Sequence, residues 1–242
     1  MNHPAAPLVR SLATEDIGPA AAELVLAVLG VRQNPVIGVA TGSSPSPLYD
    51  ALAASSADFT RAAWFALDEY VGLPPGHPES YADVLRREII EPLGLDPRTV
   101  HLPDPHREDL QAACDDYERR IAEAGGIDLQ ILGIGRNGHL AFNEPGGALD
   151  SRTRVEVLTE DTRRANQRFF DSLDSVPTHC LTQGLGTIRE ARQLLLIAQG
   201  EDKAQALSAA LKGPVSPECP ASVLQLHGRV TVLADAAAAS LL

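Results

Sequence analysis

The sequence predicts an α/β fold in which a mostly parallel, open sheet carries helices on both faces. Three observations lead there. Short apolar or β-branched runs alternate with amphipathic stretches, as they must when parallel strands are joined by helical crossovers. Gly, Pro and Asp punctuate the joins. Several runs are apolar with hardly a break, the mark of strands covered on both faces. In chain order, a helix is expected from Thr14 to Leu29, where Glu15 and Asp16 suit the positive end of the dipole and Gly30 suits the stop. Strand Pro35–Ala40 (PVIGVA) comes next, then a helix over Pro45–Ala54, strand Ala62–Leu67 (AAWFAL) and a helix over Ser80–Glu91. Strand Thr99–Leu102 leads to a helix over Glu108–Ala124, whose Leu110, Cys114, Tyr117 and Ile121 share one face and which Gly125 and Gly126 end. Cys114 is thus expected in the core. Strands Ile127–Gly133 and Arg154–Thr159, a helix over Asp161–Asp171, strand Gln193–Ala198, helices over Asp202–Leu211 and Pro217–Leu226, and strand Arg229–Ala234 complete the series. No repeat, low-complexity tract or long linker divides the chain, so residues 1–242 are expected to form one domain.

Composition narrows the function classes. The formal net charge of -12 argues against nucleic acid as a partner, since phosphate backbones would be repelled over most of the surface. No window reaches the roughly 20 apolar residues of a membrane span, and the start, MNHPAAPLVR, lacks the apolar core of a secretory signal. The three cysteines, Cys114, Cys180 and Cys219, are odd in number and widely spaced, with neither a CxxC pair nor a Cys/His ligand spacing. Neither a disulfide scaffold nor a zinc module is therefore expected, and a soluble, cytoplasmic protein with no metal and no membrane partner is.

Ligands of open parallel sheets bind beyond the carboxyl ends of the strands, so chemistry is sought in the loops that leave those ends. After strand 35–40 comes Thr41-Gly42-Ser43-Ser44-Pro45. A hydroxyl-rich turn opening into a helix presents free N–H groups and the positive dipole end, a cradle for phosphate or carboxylate. The same residues also make an ordinary helix cap. The turn is neither a Walker loop nor a GxGxxG fingerprint, which argues against a nucleotide. After strand 62–67 stand Asp68 and Glu69. Two carboxylates emerging from an apolar run are costly unless one enters a polar cleft. An aspartate there is placed to act as a general base; capping or an ion pair is the plainer use. The richest segment is GIGRNGHLAFNEPG (133–146). Its glycines permit a tight loop, and the loop carries Asn137, His139, Asn143 and Glu144. A nearby carboxylate orients a histidine ring and raises its basicity, which suits proton transfer near neutral pH.

These segments carry a resemblance. GVATGSSPSPLYDAL (38–52), ALDEYVGL (66–73), SYADVLRREI (80–89), LGIGRNGHLAFNEPG (132–146), SRTRVEVLTEDTRRANQRFF (151–170) and TQGLGTI (182–188) resemble, in order and across most of the chain, those of the glucosamine-6-phosphate deaminase family. LDEYVGL and GHLAFNEPG are the most specific; the related 6-phosphogluconolactonases typically show DGHTASLFP at the second. The resemblance implies a Rossmann-like sheet with a helical lid over Ser80–Glu91. It also implies a reaction, needing no cofactor, in which glucosamine 6-phosphate becomes fructose 6-phosphate and ammonia. Asp68 is then the base that moves the C2 proton to C1 through an enol-type intermediate. His139 assists ring opening, with Glu144 and Asn137 as partners. The chemistry needs these types, because the weakly acidic C2 proton must be taken and handed on by a positioned carboxylate. Some members carry Asp where this chain has Asn137; an amide orients the imidazole but lends it no charge, which leaves that to Glu144. Members activated by N-acetylglucosamine 6-phosphate usually carry a basic residue near Glu156 and a longer C-terminal segment, so no activation by that ligand is expected.

An acidic chain must hold a sugar phosphate with a few local donors. Arg168 and Lys203 match the family's phosphate-binding positions and are expected to converge with Thr41, Gly42, Ser43 and Ser44 on one phosphate. Only two of the 20 lysines and arginines are lysines, Lys203 and Lys212; a compact ammonium at 203 would explain one of them, although a lysine in a first helical turn is more often simply exposed. The expected partner is a small amino-sugar phosphate, with a homo-oligomer left open. Lactone hydrolysis through the same histidine loop is the alternative enzyme. A non-catalytic sugar-phosphate sensor is the alternative outside enzymes, ranked last because no basic helix-turn-helix segment accompanies these residues. Nothing in the sequence separates glucosamine from its galactosamine epimer.

Overall fold

The computed structural model describes residues 5–242. Its elements run β1 (Leu8–Leu12), α1 (Thr14–Val31), β2 (Val36–Val39), α2 (Ser46–Ala53), β3 (Ala63–Ala66), β4 (Asp68–Val71), α3 (Tyr81–Leu85), α4 (Glu91–Leu93), β5 (Val100–His101) and α5 (Leu110–Glu123). They continue with β6 (Leu129–Leu132), β7 (Arg154–Val157), α6 (Glu160–Asn166), β8 (His179–Thr182), α7 (Leu185–Arg189), β9 (Leu194–Ala198), α8 (Ala204–Lys212) and β10 (Val230–Asp235). Seven strands form one parallel sheet in the order β1-β10-β9-β6-β2-β3-β5. Every residue of β2, β6 and β9 is buried, as their unbroken apolar runs require of strands covered on both faces. A second, antiparallel sheet joins β4, β8 and β7.

All seven expected strands are present, but Arg154–Val157 belongs to the small antiparallel sheet. Its alternation of charged and apolar residues is that of a half-exposed strand, not of a covered parallel one. Strands β1, β4 and β8 are additional. β1 lies at a sheet edge with Leu8 and Val9 exposed, so no buried run announces it. Helices α1, α2, α5 and α8 match expectation closely, and Cys114 is buried in α5. Pro217–Leu226 folds instead as 3-10 turns over Pro220–Leu226, the expected helix to Asp171 ends in a 3-10 turn over Gln167–Phe169, and α7 is additional.

The segment over Ser80–Glu91 begins as α3, widens into a π-helical turn at Arg86–Ile90 and continues as α4. Pro92 explains the widening: it offers no N–H to the Glu88 carbonyl and its ring would crowd that carbonyl in a regular α-helix. Leu85 and Ile89 are buried in the main core and form the inner, apolar side of the segment. The stretch from α6 to Phe170 is held far more thinly, with Thr162 its one buried residue.

Candidate active site

β2 and β6 lie side by side at the centre of the large sheet, and the chain builds outward from them in opposite directions, to β3 and β5 past β2 and to β9 and β10 past β6. Such a reversal leaves a crevice at the carboxyl ends of the strands. The connection after β2 and the loop after β6 both start there. In the first, the Tyr49 hydroxyl donates to the Ala40 carbonyl at 2.7 Å and accepts from the Ala40 N–H at 3.2 Å, which pins the strand end. Gly42 then takes φ +102°, a conformation natural to glycine. The first helical amides with backbone acceptors are those of Leu48 and Tyr49, both on the Pro45 carbonyl. The N–H groups of Gly42, Ser43 and Ser44 have no acceptor among the described residues and can receive an anion.

The loop after β6 is closed by its glycines. Gly135 N–H donates to the His139 carbonyl at 3.0 Å and Gly138 N–H to the Gly135 carbonyl at 3.0 Å. A Cβ at Gly135 would collide with the His139 ring, so the imidazole rests directly on glycine backbone. Glu144 is the hub of this loop and is buried. Its Oε2 accepts from Asn137 Nδ2 at 2.8 Å and lies 3.8 Å from His139 Nδ1. Its Oε1 accepts from Thr159 Oγ1 at 3.3 Å and, more closely, from Thr162 Oγ1. Asn137 Oδ1 in turn accepts from the His139 N–H at 3.2 Å. The 3.8 Å gap exceeds hydrogen-bond reach, as catalytic contacts commonly do before substrate arrives. His139 Nδ1 is itself buried without a partner. Burial lowers the His139 pKa, Glu144 opposes that shift and the charge of Lys203 adds to it, so the ring is held neutral near pH 7 and is free to carry a proton.

Asp68 opens β4 and is paired in register with Thr182 of β8. Burial, then the charge of Glu69, raises its carboxyl well above the usual range, which makes it a stronger base than a solvated aspartate. Thr182 Oγ1 accepts from the Phe142 N–H at 3.2 Å, tying the histidine loop to the strand opposite Asp68. Glu69, the next residue, turns the other way, as neighbours on a strand do. It accepts from the N–H groups of Tyr70 (2.7 Å), Tyr81 (2.9 Å) and Ala82 (2.8 Å) and so caps α3. It also borders a cleft of about 350 Å³ with Tyr70, His101 and His106, which Asp68 does not line. Of the adjacent carboxylates, Glu69 is bonded by three backbone amides, and Asp68 is buried on the other side of the strand.

With that geometry in view, comparison with known proteins is decisive: the model of the family described as glucosamine-6-phosphate isomerases/6-phosphogluconolactonase matches residues 12–233. The chain belongs to this family. It is 55% identical over 229 residues to a glucosamine-6-phosphate deaminase of Pseudarthrobacter chlorophenolicus, covering 93% of this chain and 88% of that one. It is 52% identical over 228 residues to one of Mycolicibacterium smegmatis, covering 92% and 87%. Among solved structures, a monomeric glucosamine-6-phosphate deaminase superposes with a TM-score of 0.93 at 38% identity, covering 97% of this chain and all of that one. The 6-phosphogluconolactonase of Trypanosoma cruzi, with a TM-score of 0.79 at 19% identity, shares the fold.

Of the residues expected to make this family's site, the structure brings Asn137, His139 and Glu144 together, with Lys203 near enough for its charge to act on His139. Lys203 is mostly buried and lies 3.6 Å from Asp202, which also accepts from Arg136 Nε at 3.0 Å. Arg168 is not brought in. It is exposed, with its guanidinium 4.7 Å from the Phe169 ring, and makes no hydrogen bond to Thr41, Gly42, Ser43, Ser44 or Lys203 among the described residues. Sequence reasoning missed Thr159, Thr162, Thr182, Gln183 and Arg154. Thr159 is legible as the N-cap of α6, since it accepts from the Thr162 N–H at 3.2 Å; that both hydroxyls also serve Glu144 is a tertiary fact. Tyr70, Tyr81 and Phe142 form an aromatic cluster between β4, α3 and the histidine loop, with Tyr81 and Phe142 stacked at 6.0 Å and 8°.

No helix among the described residues is long and apolar enough to cross a membrane.

Proposed function

We propose that this protein converts glucosamine 6-phosphate and water to fructose 6-phosphate and ammonia, as a cytoplasmic enzyme of amino-sugar catabolism whose activity resides in one domain. The observation that carries the proposal is the single tight loop that sets His139 beside the buried Glu144, itself bonded by Asn137, Thr159 and Thr162, in a chain 55% identical to a glucosamine-6-phosphate deaminase. In this scheme His139, oriented by Glu144, moves a proton at the ring oxygen or O1 and opens the pyranose. Asp68 takes the C2 proton and delivers it to C1, leaving an imine at C2. Water adds to that imine, the protonated nitrogen departs as ammonia, and the ketone of fructose 6-phosphate forms. The amides of Gly42 to Ser44, the hydroxyls of Thr41, Ser43 and Ser44, and Lys203 hold the phosphate, and Arg168 joins them when the segment after α6 folds onto the bound substrate.

A product assay tests the proposal. Ammonia release is expected from glucosamine 6-phosphate, with the galactosamine epimer run beside it to set the preference. Hydrolysis of a gluconolactone phosphate without ammonia release from either amino sugar would assign the chain to the lactonase side of its family instead. The phosphate cradle has its own test: Lys203→Ala should raise KM about tenfold or more through loss of a charge-assisted contact, and unchanged kinetics would remove Lys203 from the site.

A further inference from the structure

Asn143 is uncharged, and the reaction scheme gives it no part. It is nevertheless among the most completely bonded side chains of the site. Its Nδ2 donates to the carbonyls of Leu140 (2.9 Å) and Gln183 (2.8 Å), and its Oδ1 accepts from Arg154 Nη1 at 2.9 Å. The other arm of the Arg154 fork is ion-paired to Glu156 on the same strand. Gln183 carries the linkage to the base. Its N–H donates to the Leu67 carbonyl at 2.7 Å and its Nε2 to the Ala66 carbonyl at 2.9 Å, immediately before Asp68. Asn143 also closes the turn from Leu140, in which Ala141 sits at φ +52°. A side chain other than glycine costs about 1–2 kcal/mol in that region and keeps it only where neighbours hold it there. The next residue in the chain is Glu144.

We propose that Asn143 and Arg154 are positioning residues that hold Glu144 in register with His139 and tie both to the strand bearing Asp68. A guanidinium is suited to the task because its fork bonds a carboxylate and an amide oxygen at once in fixed geometry, which an ammonium does not. Neither residue touches the phosphate cradle. Loss of Arg154 therefore acts on turnover and leaves substrate affinity alone.

The proposal rests on the ring-opening role assigned to His139 and Glu144, and the experiment keeps the two apart. Kinetics of ammonia release from glucosamine 6-phosphate are measured for the wild type, Arg154→Met, Arg154→Lys, Glu144→Gln and the double variant Glu144→Gln/Arg154→Met. Arg154→Met is expected to lower kcat about 10- to 100-fold, the size of effect that small misplacements of catalytic groups produce, with KM within about twofold. Arg154→Lys, which keeps a cation on Glu156, should fall between; if Arg154→Met does not fold, the cycle is run with lysine. Because Arg154 acts through Glu144, its substitution should cost less than about twofold once Glu144 is already glutamine. An unchanged kcat in Arg154→Met, or the same fold loss in the Glu144→Gln background, overturns the positioning role. Absence of ammonia release by the wild type would instead overturn the proposed reaction.

Discussion

Asp68 is asked to be buried and to be a base, and these demands oppose each other. Burial and the neighbouring charge of Glu69 raise its pKa in the fold. A group whose folded pKa lies above its unfolded one supports stability fully below the unfolded value and loses that support as pH rises through the folded value. Asp68→Asn should therefore abolish turnover while raising the melting temperature, by a margin that grows as pH rises above the ordinary aspartate range toward the raised pKa of the folded carboxyl. A variant less stable than wild type across that range would mean that the carboxylate is held by contacts rather than strained by burial. The same shift predicts that the acid limb of the kcat/KM profile lies above the ordinary carboxylate range, since only ionised Asp68 can accept the C2 proton.

Between elements, Glu69 performs the task its neighbour is freed from. Its carboxylate takes the first two amides of α3 together with the Tyr70 N–H, so β4 and α3 are joined by one side chain. Glu69→Gln keeps the shape but offers a single acceptor oxygen where three donors point. Burial raises the Glu69 pKa against these bonds, so losing the charge is not the cost; the amide NH2 turned toward a backbone N–H leaves a buried donor unpaired, at about 1–3 kcal/mol, read as a lower denaturation midpoint with an unchanged slope. A midpoint equal to that of wild type would show the cap to be dispensable. The division of labour in the Asp68-Glu69 pair was legible in principle, because adjacent strand residues face opposite ways, but only once residues 68–71 are known to be a strand. They were not, because a four-residue strand beginning with two acids carries no strand-like pattern. The parallel strands were legible for the opposite reason, their apolar runs being long and unbroken. Asn137, His139 and Glu144 were legible because they share one short loop. Arg154 and Gln183 were not, since their partners lie 11 and 40 residues away at Asn143 and only the fold brings them together.

Across the whole molecule, the two sheets and their helices must be held at a fixed offset for the crevice to keep its shape, and Glu118 is one of the ties. From α5 its carboxylate accepts from the Thr153 N–H at 2.8 Å, the Thr153 and Thr187 hydroxyls and Arg152 Nη2, and so joins α5 to the approach to β7 and to α7. Burial alone would raise its pKa, but the bonds from Thr153 and Thr187 outweigh burial and the net shift is downward. A depressed folded pKa contributes stability that is present above the unfolded value and lost as pH falls through the folded one. Glu118→Gln should thus unfold at a lower temperature at pH 7, by roughly 2–4 °C for each kcal/mol lost in a chain of this size. The deficit should shrink as pH falls from 7 below the ordinary glutamate range and through the depressed pKa of the wild-type carboxylate. Thermal melts of both proteins across that interval decide the matter: a deficit that stays constant with pH would assign the effect to packing, and no deficit at pH 7 would remove Glu118 from the forces that set the sheets in place.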